Sequence, residues 1–404
     1  MISIFFALLL LYSHFLKAAI AQNETNHVST NLFTSLEELS RLVDISYCVG
    51  TTGVQQPFQC LSRCIEFPDL ELVTTWHTGI LLSDSCGYIA LSHAPSPKRI
   101  IIAFRGTYSI TNSIIDLSAI PQAYVPYPGN EDEDERDEDT ENLSTPHCKN
   151  CTVHAGFLSS WLNTRETILP HVAAALEKYP DYEITLVGHS LGGAVAALAG
   201  LEMHLKGWNL LVTTFGEPMV GNEAFVKFLD EQFGLDAVTQ DKGRFRRVTH
   251  VDDPVPLLPL REWGYAAHAG EIYISKSGLP PSREDLRLCA GDYDPDCIAG
   301  QGSDAVLSEM YRDMGVSVGL AGSGMKGCRS SSEDSVSGGQ AVLGNGGDAA
   351  GSGMEDGDGE DILSSVGLKW SLIPARYRLW ELFYAHRDYF WRIGLCVPGG
   401  DPTG

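Results

Sequence analysis

An α/β architecture, with a mostly parallel central sheet flanked by helices, follows from three stretches of this 404-residue chain. Residues 182–187, YEITLV, are apolar and β-branched, as suits a buried strand. Residues 194–205, AVAALAGLEMHL, have high helix propensity and small side chains that pack close to a sheet. RIIIAF at 99–104 and the start of RFRRVTHVDDPVPLLP at 244–259 read as further strands.

Between the first strand and the helix stands Gly188-His189-Ser190-Leu191-Gly192. A serine on so tight a strand-to-helix turn is held in a strained backbone conformation that pushes its hydroxyl out of the chain path. Only glycine-sized neighbours leave room for that turn. A bare G-x-S-x-G arises often by chance; the strand before it and the helix after it mark Ser190 as a nucleophile.

The first residues, MISIFFALLLLYSHFLKAAIA, form a short apolar run closing on an A-x-A pattern, which predicts a secretory signal over 1–21. No later run is apolar for long enough to span a bilayer. The ten cysteines then meet an oxidising compartment and should mostly pair. Asn23, Asn142 and Asn150 open N-x-S/T sequons, consistent with glycosylation on a eukaryotic secretory route. A formal net charge of −24 argues against nucleic acid or an anionic membrane as partner. Part of it lies in an acidic loop over 129–147, whose NEDEDERDEDTE run should be solvated and self-repelling. That run lacks the glycine-punctuated loop of a calcium site, so no metal is expected there. A second insertion, rich in Gly, Ser and Asp, covers about 320–361, so residues 22–404 read as one α/β domain with two grafted loops.

A serine hydroxyl needs a histidine to take its proton, and the histidine needs a carboxylate to fix its tautomer. In α/β-hydrolases these follow the serine in the order Asp or Glu, then His. Pro254, Pro256 and Pro259 predict an extended, rigid exit from the strand that ends near His250. Asp253, extended by the proline after it, is the expected carboxylate, and Asp252 should point to the other side. For the base, His250 falls on the strand itself. Periodicity does not decide between His268 in GYAAHAGEIYI and His386 in WELFYAHRDYFWRIGLC.

Seven landmarks occur in order: FRGTYSITNSIIDL (104–117), VHAGF (153–157), GHSLGG (188–193), FGEPMVGN (215–222), DDPVPLLP (252–259), AHAGEIYI (267–274) and AHRDYF (385–390). Together they resemble the secreted fungal lipases of the class 3 type, which include feruloyl esterases, over about 46–396. The resemblance implies the α/β-hydrolase fold, with Ser190 as nucleophile, Asp253 as orienting carboxylate and His386 as base. It makes His268 structural, near the substrate cleft. The oxyanion donors it implies are the backbone N–H of Leu191, where the helix dipole also favours an anion, and Thr107 in the FRGT loop. It pairs Cys48 with Cys396, Cys60 with Cys64, Cys148 with Cys151 and Cys289 with Cys297. Cys86 and Cys328 are left with no partner but each other.

If ITNSIIDL forms a short helix, Ile110, Ile114 and Leu117 share one face while Asn112 and Asp116 lie opposite. A stripe of that kind beside the nucleophile suits a lid that opens toward lipid. The sequence departs from the family here: Ser113 stands where lipase lids often carry tryptophan, and Thr107 matches the feruloyl esterases better. Those esterases have a polar, fixed lid, which the isoleucines oppose. The expected activity is cleavage of acylglycerol esters (a triacylglycerol lipase) by a secreted monomer at a lipid–water interface, with no cofactor and no metal. The alternatives are a feruloyl or other soluble-ester esterase, a phospholipase, or a hydrolase fold that only binds. An intact order of triad residues disfavours the last.

Overall fold

The computed structural model describes residues 28–79, 85–107, 124–126, 148–235, 243–300 and 384–400. The segment 1–21, Asn23, the stripe Ile110, Ile114 and Leu117, the acidic loop with Asn142, the insertion at about 320–361 and Cys328 lie outside the described residues.

The strands, in chain order, are β1 (Leu70–His77), β2 (Cys86–Ser92), β3 (Arg99–Arg105), β4 (Tyr124–Pro126), β5 (Thr152–His154), β6 (Glu183–His189), β7 (Leu210–Phe215), β8 (Gly221–Asn222), β9 (Phe245–His250), β10 (Tyr265–Ala266), β11 (Glu271–Ile274) and β12 (Leu286–Leu288). Eight of them form one sheet in the order β1-β2-β3-β6-β7-β9-β11-β12. Its centre, from β3 through β6, β7 and β9 to β11, is parallel, and β1, β2 and β12 join antiparallel at the edges. A smaller sheet runs β10-β8-β5-β4.

Strand β3 shows why the centre must be covered twice. Successive side chains of a strand point to opposite faces. Ile100, Ile102 and Phe104 enter one apolar cluster and Ile101 and Ala103 the other, all without exposed surface. Helix α1 (Thr30–Ile45), with Tyr389, Phe390 and Ile393, fills the second cluster. Helices α2 (Ala155–Lys178) and α3 (Leu191–Leu205) fill the first. Burying each large aliphatic side chain contributes about 1.5–3 kcal/mol. Helix α3 is apolar all round and almost wholly buried, as an interior helix should be.

The helix starts at Leu191, three residues before the Ala-rich run, because Ser190 makes the turn in a single residue. A larger difference lies after β9. Val255–Leu257 forms one 3-10 turn, where the prolines predicted an extended exit. Pro254 adopts φ −77° and ψ −18°, which a first-turn proline accepts readily, and the Asp253 carboxylate accepts the Val255 N–H at 2.9 Å.

Two landmarks supply helix caps. His154 of VHAGF accepts the Gly156 and Phe157 N–H groups on Nδ1 at 3.1 and 3.3 Å, and burial pushes its pKa down to about 4. Asn222 caps helix α4 (Glu223–Phe233) through the Phe225 N–H at 3.0 Å and also accepts the Thr152 N–H at 3.1 Å. Among the described residues no helix is long and apolar enough to cross a membrane.

Candidate active site

Ser190 follows the last residue of β6 with φ 59° and ψ −131°, a conformation that costs a non-glycine residue on the order of 1–3 kcal/mol. The turn survives because its neighbours lack side chains. A Cβ on Gly188 would run into the Gly192 carbonyl, and one on Gly192 would sit 2.5 Å from the Phe104 oxygen. The Ser190 N–H donates to Phe215 O at 3.0 Å, and its carbonyl accepts the Gly193 and Ala194 N–H groups at 2.8 and 3.3 Å. The Leu191 N–H, at the first position of α3, has no acceptor within the helix.

Asp253 is 1% exposed and its two oxygens are fully engaged. His386 Nδ1 donates to both at 2.9 Å, the Tyr389 hydroxyl donates to Oδ2 at 2.5 Å, and the Val255 N–H donates to Oδ1. Burial pushes the carboxyl up. The His386 charge, its hydrogen bond and those from Tyr389 and Val255 outweigh that and hold it below the usual carboxylate range. It therefore stays ionised, and an ionised Asp253 fixes the His386 proton on Nδ1. That leaves Nε2 to accept a proton. Nε2 is buried and has no hydrogen-bond partner among the described residues. The His386 ring lies 4.7 Å, centroid to centroid, from that of His189, the residue before Ser190.

Gly216 closes this arrangement from below. It sits at φ +59°, and a Cβ there would lie 2.7 Å from Tyr389 Oη, 2.8 Å from His386 Cε1 and 2.9 Å from Asp253 Oδ2. Displacing reacting groups by an ångström costs about 100-fold in rate. Gly216→Ala is therefore expected to lower kcat on a soluble ester by about two orders of magnitude. Gly207→Ala is the control: φ is +81° there, but nothing lies within 4 Å of the added Cβ. It should lose stability alone, and equal kcat losses in the two variants would refute the steric account.

The other histidines lie elsewhere. His250 Nε2 donates to Lys276 O at 2.9 Å. His268 donates from Nδ1 to Ala269 O at 2.7 Å and from Nε2 to Glu217 Oε1 at 3.0 Å. Burial pushes its pKa down, but the Glu217 charge and hydrogen bond raise it above the usual value. Arg247, Glu271 and Thr249 extend this buried cluster, Arg247 Nη2 reaching Glu271 at 3.3 Å and Thr249 Oγ1 at 2.6 Å from it. Asp252 is exposed where Asp253 is buried. The half-buried Thr107 follows Gly106, whose added Cβ would come within 2.9 Å of Ser190 Cβ, so the FRGT loop abuts Ser190.

Four disulfides join Cys48 to Cys396, Cys60 to Cys64, Cys148 to Cys151 and Cys289 to Cys297. Cys86 is buried. Cys289, Asp294 and Cys297 converge like metal ligands, but the two sulfurs are bonded to each other and offer no thiolate. Asn150 is exposed, on the turn inside the Cys148–Cys151 clip.

Reading the residues missed Tyr389, His189, Tyr47 and Glu217. Tyr389 and His189 lie inside quoted landmarks, and only the fold tells which hydroxyl or ring meets the site.

Comparison with known proteins identifies the family. Residues 101–263 match the family described as lipase (class 3). The chain is 50% identical over 401 residues to Lipase A of Sodiomyces alcalophilus, covering 95% of this chain and 86% of that protein. It is 48% identical over 390 residues to secreted mono- and diacylglycerol lipase 2 of Gibberella zeae, covering 93% and 85%. The solved structure of nonglycosylated LIP2 lipase from Yarrowia lipolytica superposes with a TM-score of 0.60 at 34% identity, covering 68% of this chain and 90% of that one. The chain belongs to the class 3 lipase family.

Proposed function

We infer that this chain is a secreted carboxylic ester hydrolase that cleaves acylglycerols through an acyl-enzyme. One observation carries the reading: His386 is locked to an ionised Asp253 by Nδ1, with its buried Nε2 unpartnered among the described residues, near a strained serine at a strand-to-helix turn. The relatives named as secreted lipases support the substrate class and the extracellular location.

In the proposed reaction Ser190 Oγ attacks the ester carbonyl carbon while its proton passes to His386 Nε2. The negative oxygen of the tetrahedral intermediate is received by the N–H groups of Leu191 and Thr107. Collapse breaks the bond to the glycerol oxygen, which leaves with the proton from His386. Water then gives a proton to His386 and attacks the acyl carbon. The second collapse returns that proton to Ser190 and releases the fatty acid. Asp253 holds the imidazole tautomer throughout and is not itself protonated.

The test is a rate comparison across tri-, di- and monoacylglycerols, phospholipid, a soluble short-chain ester and methyl ferulate. Acylglycerols are expected to lead. Faster turnover of methyl ferulate would move the chain to the esterase branch. The lid proposal rests on Ile110, Ile114 and Leu117 in the sequence alone. It expects activity on a partly soluble triacylglycerol to rise steeply past the solubility limit. Changing all three to serine should remove the rise and spare small soluble esters. A smooth saturation curve in the unaltered protein would end the lid proposal.

A further inference from the structure

The loop that carries Thr107 is held from both sides. The Gly106 N–H is hydrogen-bonded to the Tyr47 hydroxyl, and the Gly106 carbonyl accepts from Arg105 Nε at 3.2 Å. Arg105 is fixed in turn, since its Nη1 donates to Val49 O at 2.5 Å. Tyr47 and Arg105 are both buried. In a trans peptide the carbonyl and the following N–H point in opposite directions. Holding the Gly106 carbonyl against Arg105 therefore aims the Thr107 N–H the other way. There is little slack, because a Cβ on Gly106 would clash with Tyr47 Oη and lie 2.8 Å from His189 O.

The same hydroxyl reaches the base. Tyr47 Oη lies 2.6 Å from His189 Nδ1, and His189 Nε2 lies 2.8 Å from the His386 carbonyl. A carbonyl only accepts, so Nε2 carries the proton and Nδ1 accepts from Tyr47. Burial first, then the His386 charge, pushes the His189 pKa down to about 3, so the ring keeps this neutral tautomer through the neutral range. One hydroxyl thus meets the oxyanion loop directly and the backbone of the base through one ring.

We propose that Tyr47 and Arg105 are positioning residues that hold the Thr107 N–H and His386 in register with Ser190. The oxyanion donor and the base then form one hydrogen-bonded unit centred on the Tyr47 hydroxyl. This rests on the serine-esterase reading above.

Tyr47→Phe keeps the packed ring and removes the hydroxyl. Arg105→Lys keeps the charge and removes the planar fork. Each is assayed on a soluble p-nitrophenyl ester, with active sites counted by stoichiometric organophosphate labelling. Losing an oxyanion donor outright costs about 100- to 1,000-fold. Misaiming one is expected to lower kcat per labelled site by about 10- to 100-fold, with KM changed less than about threefold. Affinity for an alkyl boronic acid should fall by a similar factor, because its adduct with Ser190 carries the tetrahedral negative charge. The double variant should lose less than the product of the single losses, since both side chains hold one peptide. An unchanged kcat per labelled site, with only a lower melting temperature, overturns the proposal. Should Tyr47→Phe fail to fold, Arg105→Lys alone decides it by the same readings. A wild type that the organophosphate does not label would sink the esterase reading itself; a labelled wild type with unimpaired variants sinks the positioning proposal alone.

Discussion

Ser190→Ala is expected to lose about 10⁴- to 10⁶-fold in ester hydrolysis and all covalent labelling by an organophosphate, with the circular dichroism spectrum unchanged. Oγ is the atom that would form the acyl bond, and alanine has no hydroxyl in its place. The φ of 59° at this position adds a second, independent reading. Alanine inherits the backbone strain and glycine does not. Ser190→Gly should therefore melt higher than Ser190→Ala by about 1 kcal/mol of stability while being equally inactive. Retention of activity in either variant would remove Ser190 from the mechanism. Equal melting of the two would mean that the strain is relieved elsewhere.

His386→Ala and His268→Ala should part company. The first removes the proposed acceptor for the Ser190 proton, so kcat should fall by about 10⁴-fold or more. The second leaves the chemistry in place and damages the core. It strands Glu217, which has no exposed surface to speak of, beside the Arg247–Glu271 pair. Breaking a buried pair in this way costs about 3–5 kcal/mol. Because the folded pKa of His268 is raised, its stabilising contribution is complete below the unfolded value near 6.5 and is lost as pH rises through the folded value. The stability gap between wild type and His268→Ala should therefore be widest in mild acid and narrow toward alkaline pH. A larger activity loss in His268→Ala, measured where both variants are folded, would reverse the assignment of the base.

The strained turn at Ser190 was legible because everything that defines it is local. Strand, turn, small neighbours and helix occupy a single run of residues, and the structure departs from that reading only in starting α3 at Leu191. Part of the sheet was legible for a similar reason: β3 and β6, buried on both faces, read as apolar runs, and β9 was read as a strand, whereas β7 was not. The pairing of His386 with Asp253 was not legible from the residues alone. Asp253 and His386 stand 133 positions apart, and what distinguishes His386 from His268 is the carboxylate each one meets. Family resemblance put His386 forward where periodicity could not, and it is His386 that meets Asp253. The turn after Asp253 was misjudged because proline counts as a breaker, although one at the start of a turn favours it. Nothing in the residues singles out Tyr389 or Tyr47, whose hydroxyls reach Asp253 and His189.

The bond between Cys48 and Cys396 spans 348 positions of sequence, and its two ends lie one residue from Tyr47 and ten from His386. Without it, the chain joins His386 to Asp253 covalently only along the 133 positions between them. Docking of the histidine would then depend on how often a distantly tethered segment finds its seat. The covalent bond replaces that long tether by a short one, and effective concentration rises as the connecting chain shortens. What the disulfide supplies is therefore local abundance: the proposed base is kept at high concentration beside its partner carboxylate. Assembly of the acid–base pair is in this way tied to the oxidation state of the surroundings. A newly made chain whose thiols are still reduced would hold Ser190 on its turn while lacking a firmly seated histidine to activate it.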